Sequence, residues 1–279
     1  MIKKKENEMS FLEHLEELRW NIIRAIFVTL IMTILAFMYK NIIFDKIILA
    51  PKNPGFITNR ILCQIGEHLD TKALCINTKP LDLINIQMSG QITTHIIVAL
   101  VSGVILAFPF ILWEFWKFIK PALHTNEKQY AKGAVLSASF LFFTGVLFGY
   151  YIIIPLSIHF LGSYIVSNDV NNQINIRSYI GTVTKATLAS GLIFELPIIA
   201  FFLTEIDLID PNFLKQYRKH AIVVCFIVAA IITPPDIFSQ VLVVIPLLGL
   251  YEVSIAVSGI VVRRKRKHHI DFMGNDNEA

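Results

Sequence analysis

The sequence has 279 residues, of which 54% are hydrophobic and only 16% are charged, and its formal net charge is +4. Soluble globular domains carry about 25% charged residues, so this composition excludes an ordinary water-soluble domain and also an intrinsically disordered chain. Three cysteines are too few for a disulfide-dense secreted scaffold. The composition therefore predicts a protein that crosses a membrane several times.

The first predicted element is an amphipathic helix near the N-terminus. Ser10 and Glu13 have the spacing of a capping box and open a segment whose apolar residues repeat on one helical face, while Glu13 and Glu17 share another face. Residues 1–21 are expected to lie along the cytoplasmic surface and to lead into the first span. Their acidic face is either simply solvated or part of a binding site.

Six apolar segments are predicted to be transmembrane helices. They are residues 22–39, 92–113, 134–161, 186–203, 221–232 and 237–262. A spanning helix needs about 17–25 residues, whereas the 12 residues of the fifth segment cover only about 18 Å. This segment is therefore either a short span in a locally thinned bilayer or a helix buried inside the protein.

Prolines lie within or beside these segments at Pro109, Pro155, Pro197 and Pro246. Because proline lacks an N–H donor and clashes with the preceding turn, each is expected to kink its helix. The predicted fold is therefore an all-α polytopic membrane protein. Its six transmembrane helices are bent into a concave wall, and spans five and six are shortened.

The distribution of basic residues predicts the orientation of the chain. Most of the 25 lysines and arginines lie in the N-terminal segment, in the loops after spans two and four, and in the tail. The positive-inside rule places both termini in the cytoplasm. The outer loops are then 40–90 and 162–178 with an outer turn at 233–236, the inner loops are 114–132 and 205–219, and 263–279 is a basic cytoplasmic tail. We interpret residues 263–267 as an orientation signal or lipid contact and not as a nucleic-acid site.

Two of the three cysteines, Cys63 and Cys75, lie in the outer segment 40–90. A disulfide between them is allowed if the outer compartment is oxidising, and two free thiols are the alternative. Cys225 lies inside the fifth segment and is expected to be a small packing residue.

The loop after the second span combines an aromatic cluster with a rigid turn and an acidic residue. The tryptophans of this cluster lie where the helix leaves the lipid, as residues of an interfacial aromatic belt do. Such a belt does not account for Pro121 followed by Glu127 in an otherwise basic loop.

Glu195 is the strongest intramembrane candidate. It precedes Glu205 by ten residues, or about 15 Å of helix, which places it near the bilayer midplane. A charged side chain there costs about 3 kcal/mol and marks a functional candidate, although an interhelical hydrogen bond that only stabilises packing is the alternative.

A second polar group follows the fifth span. Pro234 and Pro235 end that helix, and Asp236 is placed either to cap the next helix or to act in a site with Gln240, one turn further on.

Four sequence blocks resemble the TatC family, the multispanning subunit of the twin-arginine protein translocase. They are His14-Leu15-x-Glu17-Leu18-Arg19, Trp116-x-Phe118-Ile119-x-Pro121-Ala122-Leu123 with Glu127, Phe194-Glu195-x-Pro197, and Thr233-Pro234-Pro235-Asp236-x-Phe238-Ser239-Gln240. Their order and spacing relative to the spans match from about residue 10 to residue 262. The cysteine-bearing outer segment and the tail after residue 267 depart from the commoner pattern.

The resemblance implies a receptor and not an enzyme. It implies that the chain binds the paired-arginine signal peptides of folded cargo proteins and is the core of the Sec-independent translocase in the bacterial cytoplasmic membrane, driven by the proton-motive force without a cofactor. Two planar guanidinium groups prefer two carboxylate partners, which we assign to Glu17 and Glu127. The residues expected to shape this site are Leu18, Arg19, Phe118 and Pro121.

The resemblance also implies protein partners inside the membrane. Glu195 would draw in polar residues of single-span TatA/TatB-type subunits, and Thr233, Gln240 and Asp236 would form a polar patch where such a subunit docks. Self-association in a receptor complex and contact with membrane lipid are expected, and no nucleic acid.

The main alternative function is a proton-coupled secondary transporter that uses Glu195 as a relay. Such a carrier needs a midplane substrate site between paired broken helices, and no inverted repeat is visible. An intramembrane hydrolase is disfavoured because the sequence has no His-Glu-x-x-His, no Gly-x-Ser-x-Gly and no paired membrane aspartates. No metal site is expected.

Overall fold

The computed structural model describes residues 11–71, 74–119, 131–165, 167, 169, 172–233 and 237–275. Three of the predicted site residues, Pro121, Glu127 and Asp236, lie outside these ranges, as does the predicted cap Ser10.

Helices make up most of the described chain. The α-helices are α1 (Phe11–Met38), α2 (Ile57–His68), α3 (Gly90–Ile119), α4 (Ala131–Phe148), α5 (Ile154–Ser163), α6 (Ile176–Ile193), α7 (Leu196–Glu205), α8 (Pro211–Gln216), α9 (Arg218–Ile232) and α10 (Ile237–Asn275). Two π-helical segments, Asn41–Ile48 and Gly149–Ile153, and a 3-10 turn at Ala50–Lys52 join some of them. Two short strands, β1 (Leu83–Ile84) and β2 (Ile174–Asn175), pair in parallel, with Leu83 opposite Ile174.

Five segments within the described residues are long and apolar enough to cross a membrane. They are Leu15–Met38, Gly90–Phe118, Gly133–Ser163, Ile176–Glu205 and Gln240–Arg266. The prediction of an all-helical polytopic membrane protein is therefore confirmed. The predicted fifth span corresponds to α9, whose 15 residues rise about 22 Å, so a sixth span is not fully confirmed.

Two helices run further than hydropathy alone predicts. α3 continues to Ile119, so Glu114 and Phe118 are helical although they fall in the predicted inner loop. α10 continues to Asn275, and the candidate span within it, Gln240–Arg266, has 27 residues and ends in four basic residues, so a shortened sixth span is not confirmed. Lysine and arginine are good helix formers, and Arg264 and Lys265 find partners at the end of α7, which allows the helix to continue through the basic segment.

The four prolines act in two ways. Pro197 lies in the first turn of α7, directly after a break at Phe194 and Glu195, and Pro155 lies in the first turn of α5 after a π-helical segment. Both interruptions follow from the missing N–H of proline. Pro109 and Pro246 lie inside α3 and α10, which continue as α-helices on both sides. The concave shape of the wall stays a prediction.

Antiparallel packing of long helices builds the bundle. α1 lies along α3 so closely that a Cβ atom added to Gly103 would lie 2.7 Å from the Cα atom of Thr33. α4 and α6 also pack closely, because a Cβ atom added to Gly191 would lie 2.7 Å from Cε2 of the fully buried Phe142 ring. We call the end of the bundle where α1 begins and α3 finishes the basic end.

The opposite end, which we call the cystine end, is held by a disulfide and by tyrosine hydrogen bonds. Cys63 and Cys75 are bonded, with Cα atoms 4.1 Å apart, and tie α2 to the segment that follows it. Tyr150 and Tyr179 donate their hydroxyls to the carbonyls of Ile47 and Ile48 at 2.6 and 2.8 Å. The remaining cysteine, Cys225, is buried in α9, as expected for a packing residue.

Candidate functional site

A buried carboxylate joins α1 to α3 at the basic end. The side chain of Glu114 is only 2% exposed, and its two oxygens accept hydrogen bonds from Nε of Arg24 at 3.0 Å and from Nζ of Lys117 at 2.7 Å. Arg24 also donates to the side-chain oxygen of Asn21. These bonds fix the middle of α1 against the end of α3.

Glu17 lies two turns before Arg24 on α1, on the side of that ion pair closer to the basic end. It is half-buried, and its Oε2 atom is buried without a hydrogen-bond partner among the described residues. An unsatisfied buried polar atom costs about 1–3 kcal/mol. The structure therefore holds a carboxylate oxygen at the basic end with unused hydrogen-bonding capacity.

Three further residues predicted for this site are described. Arg19 is exposed and its guanidinium lies 5.7 Å from the centroid of the Trp20 ring, a cation–π distance. Leu18 and Phe118 are half-buried. Because α1 and α3 are antiparallel and joined at Arg24 and Glu114, all three lie beyond that pair at the basic end with Glu17. The other two predicted residues, Pro121 and Glu127, lie outside the described ranges.

The ion pair between Arg24 and Glu114 was not predicted from the sequence. In the sequence, Glu114 is only the first residue of the predicted inner loop 114–132. The available signal was its spacing of three residues from Lys117, which places a carboxylate and an ammonium on one helical face. Nothing local could identify Arg24, because its partner is 90 positions away.

The second candidate is Glu195, at the break between α6 and α7. It is 7% exposed, and its Oε1 atom is buried without a hydrogen-bond partner in the part of the chain that the structure describes. The backbone around it is satisfied, since its N–H donates to the carbonyl of Leu192 and its carbonyl accepts from Ile198 and Ile199. The structure therefore holds a carboxyl group inside a spanning segment with unused hydrogen-bonding capacity.

The polar patch after α9 is partly used within the chain itself. The hydroxyl of the buried Thr233 donates to the carbonyl of Ala229 at 2.8 Å, and Nε2 of Gln240 donates to the carbonyl of Phe226 at 3.1 Å. The second bond joins α10 to α9. Asp236, between them in sequence, lies outside the described ranges.

Other charged groups near the ends of α7, α9 and α10 have structural partners. Arg264 pairs with the buried Glu205 at 2.5 Å, and Lys265 pairs with Asp207 at 2.9 Å. These pairs join the basic segment of α10 to the end of α7. No cluster of three potential metal ligands occurs among the residues described here.

Comparison with known proteins gives one family. Residues 13–246 match the family described as Sec-independent protein translocase protein (TatC). The protein of that name from Blattabacterium sp. subsp. Periplaneta americana is 41% identical, covering 95% of this chain and 100% of its own. The one from Aquifex aeolicus is 34% identical, covering 93% and 98%.

A solved structure gives the same result. The crystal structure of a twin-arginine translocase receptor, TatC, matches with a TM-score of 0.68 and 33% identity, covering 90% of this chain and 100% of that chain. These similarities do not favour the secondary-transporter alternative.

Proposed function

The chain belongs to the TatC family of Sec-independent protein translocase proteins, and we propose that it is a receptor for signal peptides with paired arginines. The observation that carries the proposal is the buried, unpartnered oxygen of Glu17 at the basic end. Through this site the chain would select folded cargo proteins for export driven by the proton-motive force.

We propose that the basic end faces the cytoplasm of a bacterium and the cystine end faces outward. The positive-inside rule supports this orientation, since the lysines and arginines concentrate at the ends of the spans on that side. The disulfide between Cys63 and Cys75 supports it independently, because disulfides persist in oxidising compartments outside the cytoplasm.

The arginine pair of the signal would bind two carboxylates. A guanidinium group is always charged and offers a planar fork of donors that fits a carboxylate in two parallel hydrogen bonds. Glu17 would take one arginine and Glu127 the other. Glu114 is not a competitor, because both of its oxygens are already occupied by Arg24 and Lys117. Specificity for arginine over lysine follows, since an ammonium group cannot form the bidentate pair.

The apolar part of the signal would lie beside the same carboxylates. Leu15 and Ile22 lie on one face of α1 and are 44% and 48% exposed. Phe115 on α3 is 54% exposed. These side chains present apolar surface at the basic end, on a face of α1 other than that of Glu17, and Phe118 contributes from the end of α3.

Glu195 would serve a different ligand. Its buried, unpartnered oxygen supports a role in binding a polar side chain of a single-span TatA/TatB-type subunit, with Thr233, Gln240 and Asp236 at the edge of that contact. A neutral polar group suits this position, because bringing a second full charge into the membrane is costly.

Peptide binding tests the receptor function. The purified chain should bind a peptide with paired arginines at least about tenfold more tightly than the same peptide with paired lysines, because charge-assisted hydrogen bonds contribute about 1.5–3 kcal/mol. Glu17→Gln and Glu127→Gln should each weaken binding by about tenfold or more. Glu16→Gln is the matched control, since Glu16 is the exposed neighbour of Glu17.

The control makes the outcome unambiguous. If Glu16→Gln weakens binding as much as Glu17→Gln does, general negative charge and not a defined site attracts the peptide. If arginine and lysine peptides bind equally, the receptor function assigned to this end of the chain is wrong.

A further inference from the structure

A cavity at the cystine end has no role in the proposed receptor function. It has a volume of about 520 Å³ and lies between the π-helical segment after α1 and the first turns of α3 and α6. This volume is within the range of about 300–1,000 Å³ typical of ligand sites. Its lining includes Lys40, Asp45, Gln91, Ile92, His95 and Ile176.

The cavity brings opposite charges and an unsatisfied nitrogen together. Lys40 and Asp45 are both exposed, and neither forms an ion pair with any other residue that the structure describes. The ring of His95 stacks on Phe37 with centroids 4.0 Å apart, and its buried Nε2 atom has no hydrogen-bond partner among the described residues. A ligand that carries an anionic group for Lys40 and a cationic hydrogen-bond donor for Asp45 and His95 fits this combination.

The cavity also lies where the chain leaves the bilayer. The spanning part of α1 ends at Met38, two residues before Lys40, and that of α3 begins at Gly90, one residue before Gln91. Tyr39 follows α1 as a belt residue would. Ile92, already within the span of α3, is 68% exposed and therefore faces lipid. The polar part of the cavity is thus at headgroup level and its apolar edge at acyl-chain level.

We propose that this cavity binds a phospholipid whose headgroup is phosphoethanolamine. The phosphate accepts hydrogen bonds from the Lys40 ammonium. The primary ammonium of the lipid donates to the Asp45 carboxylate and to Nε2 of His95. The glycerol and the first acyl carbons lie against Ile92 and Ile176.

The charges of the cavity discriminate against the other common headgroups. An anionic phosphoglycerol headgroup would leave Asp45 without a cation and beside a negative group. A phosphocholine headgroup carries a quaternary ammonium, which has no N–H to donate to Asp45 or His95. The expected order of affinity is therefore phosphoethanolamine above phosphocholine and phosphoglycerol.

Native mass spectrometry of the full chain in detergent tests the proposal. The protein is offered equal amounts of phosphatidylethanolamine, phosphatidylcholine and phosphatidylglycerol with identical acyl chains, and the first retained lipid is identified. Phosphatidylethanolamine should be retained preferentially. Asp45→Asn should abolish the preference, and Lys40→Gln should weaken retention of all three lipids by about tenfold, as expected for loss of one charge-assisted contact.

Two controls keep the result specific. Lys46→Gln and Asp82→Asn change exposed residues of the same charges outside the cavity lining and should retain lipid as the unmodified chain does. If the Lys40 and Asp45 variants behave like these controls, or if the unmodified chain shows no preference, the proposal is wrong.

A further arm separates a lipid from a soluble ligand. Free phosphoethanolamine, added at the concentration of the lipid, should not displace it, because the apolar contacts with Ile92 and Ile176 are missing. Complete displacement by the soluble headgroup would overturn the assignment of a lipid site.

Discussion

The ion pair between Arg24 and Glu114 provides a quantitative test of how α1 is held against α3. The Glu114 side chain is 2% exposed, but those of Arg24 and Lys117 are 48% and 45% exposed. A hydrogen bond to a charged group contributes about 1.5–3 kcal/mol, and solvent screening of half-exposed donors reduces this to roughly 1–2 kcal/mol. We therefore expect Arg24→Gln to lower the free energy of unfolding by about 1–2 kcal/mol.

A double-mutant cycle isolates the pairwise interaction from other effects of each substitution. Unfolding free energies of the unmodified chain, Arg24→Gln, Glu114→Gln and the double variant are measured by titrating mixed micelles with a denaturing detergent. The expected coupling between Arg24 and Glu114 is about 1–2 kcal/mol.

The chain supplies its own comparison for this cycle. Arg218 and Glu252 join α9 to α10 at 2.7 Å, but both side chains are about half exposed, at 49% and 55%. Exposed pairs couple by only about 0.2–1 kcal/mol. If the coupling at Arg24 and Glu114 is no larger than that at Arg218 and Glu252, the burial of Glu114 does not strengthen the contact.

Three further predictions concern packing, the disulfide and the intramembrane carboxyl group. Gly103→Ala should lower the unfolding free energy by about 1–3 kcal/mol, because its Cβ would press on the backbone of Thr33. At Gly181 an added Cβ atom meets nothing within 4 Å, so Gly181→Ala should instead raise the free energy of thermal unfolding by up to about 1 kcal/mol. If both substitutions change this free energy in the same direction, the explanation given for Gly103 is wrong. Reduction of the Cys63–Cys75 disulfide should lower the unfolding free energy of the unmodified chain by about 3 kcal/mol. The same treatment should not change the unfolding free energy of a Cys63→Ser, Cys75→Ser variant, and mass spectrometry of unreduced protein should show the bridge. Glu195→Ala should spare peptide binding and reduce copurification of single-span subunits, and loss of peptide capture instead would show that the two sites are not separate.

Hydropathy identifies the long helices but misplaces ends where a charge has a distant partner. A prediction from the sequence stops at the first ionised side chain, because an isolated charge is expensive in lipid. α3 passes Glu114 since Arg24 and Lys117 neutralise it, and α10 passes Arg264 since Glu205 does the same. Such pairings depend on which helices pack together, so they are absent from any local sequence pattern.

The break in the fourth span shows the opposite case, in which a local signal was present. Pro197 was expected to bend the helix, and the missing N–H in fact ends α6 and starts α7. The sequence placed Glu195 near the midplane by residue counting alone. That its oxygen is buried without a partner could be seen only once the surrounding helices were in place.

The buried and half-buried carboxylates described here fall into two groups. Glu114 and Glu205 are held by arginines of the same chain and join helices. Glu17 and Glu195 each keep a buried oxygen without a hydrogen-bond partner, at a cost of about 1–3 kcal/mol that nothing in the described chain offsets. A ligand that donates to either oxygen recovers that free energy on binding. Because Glu17 lies at the basic end and Glu195 inside a span, we propose that the first receives a charged guanidinium and the second a neutral donor. One chain would then bind a signal peptide and a membrane partner at separate places.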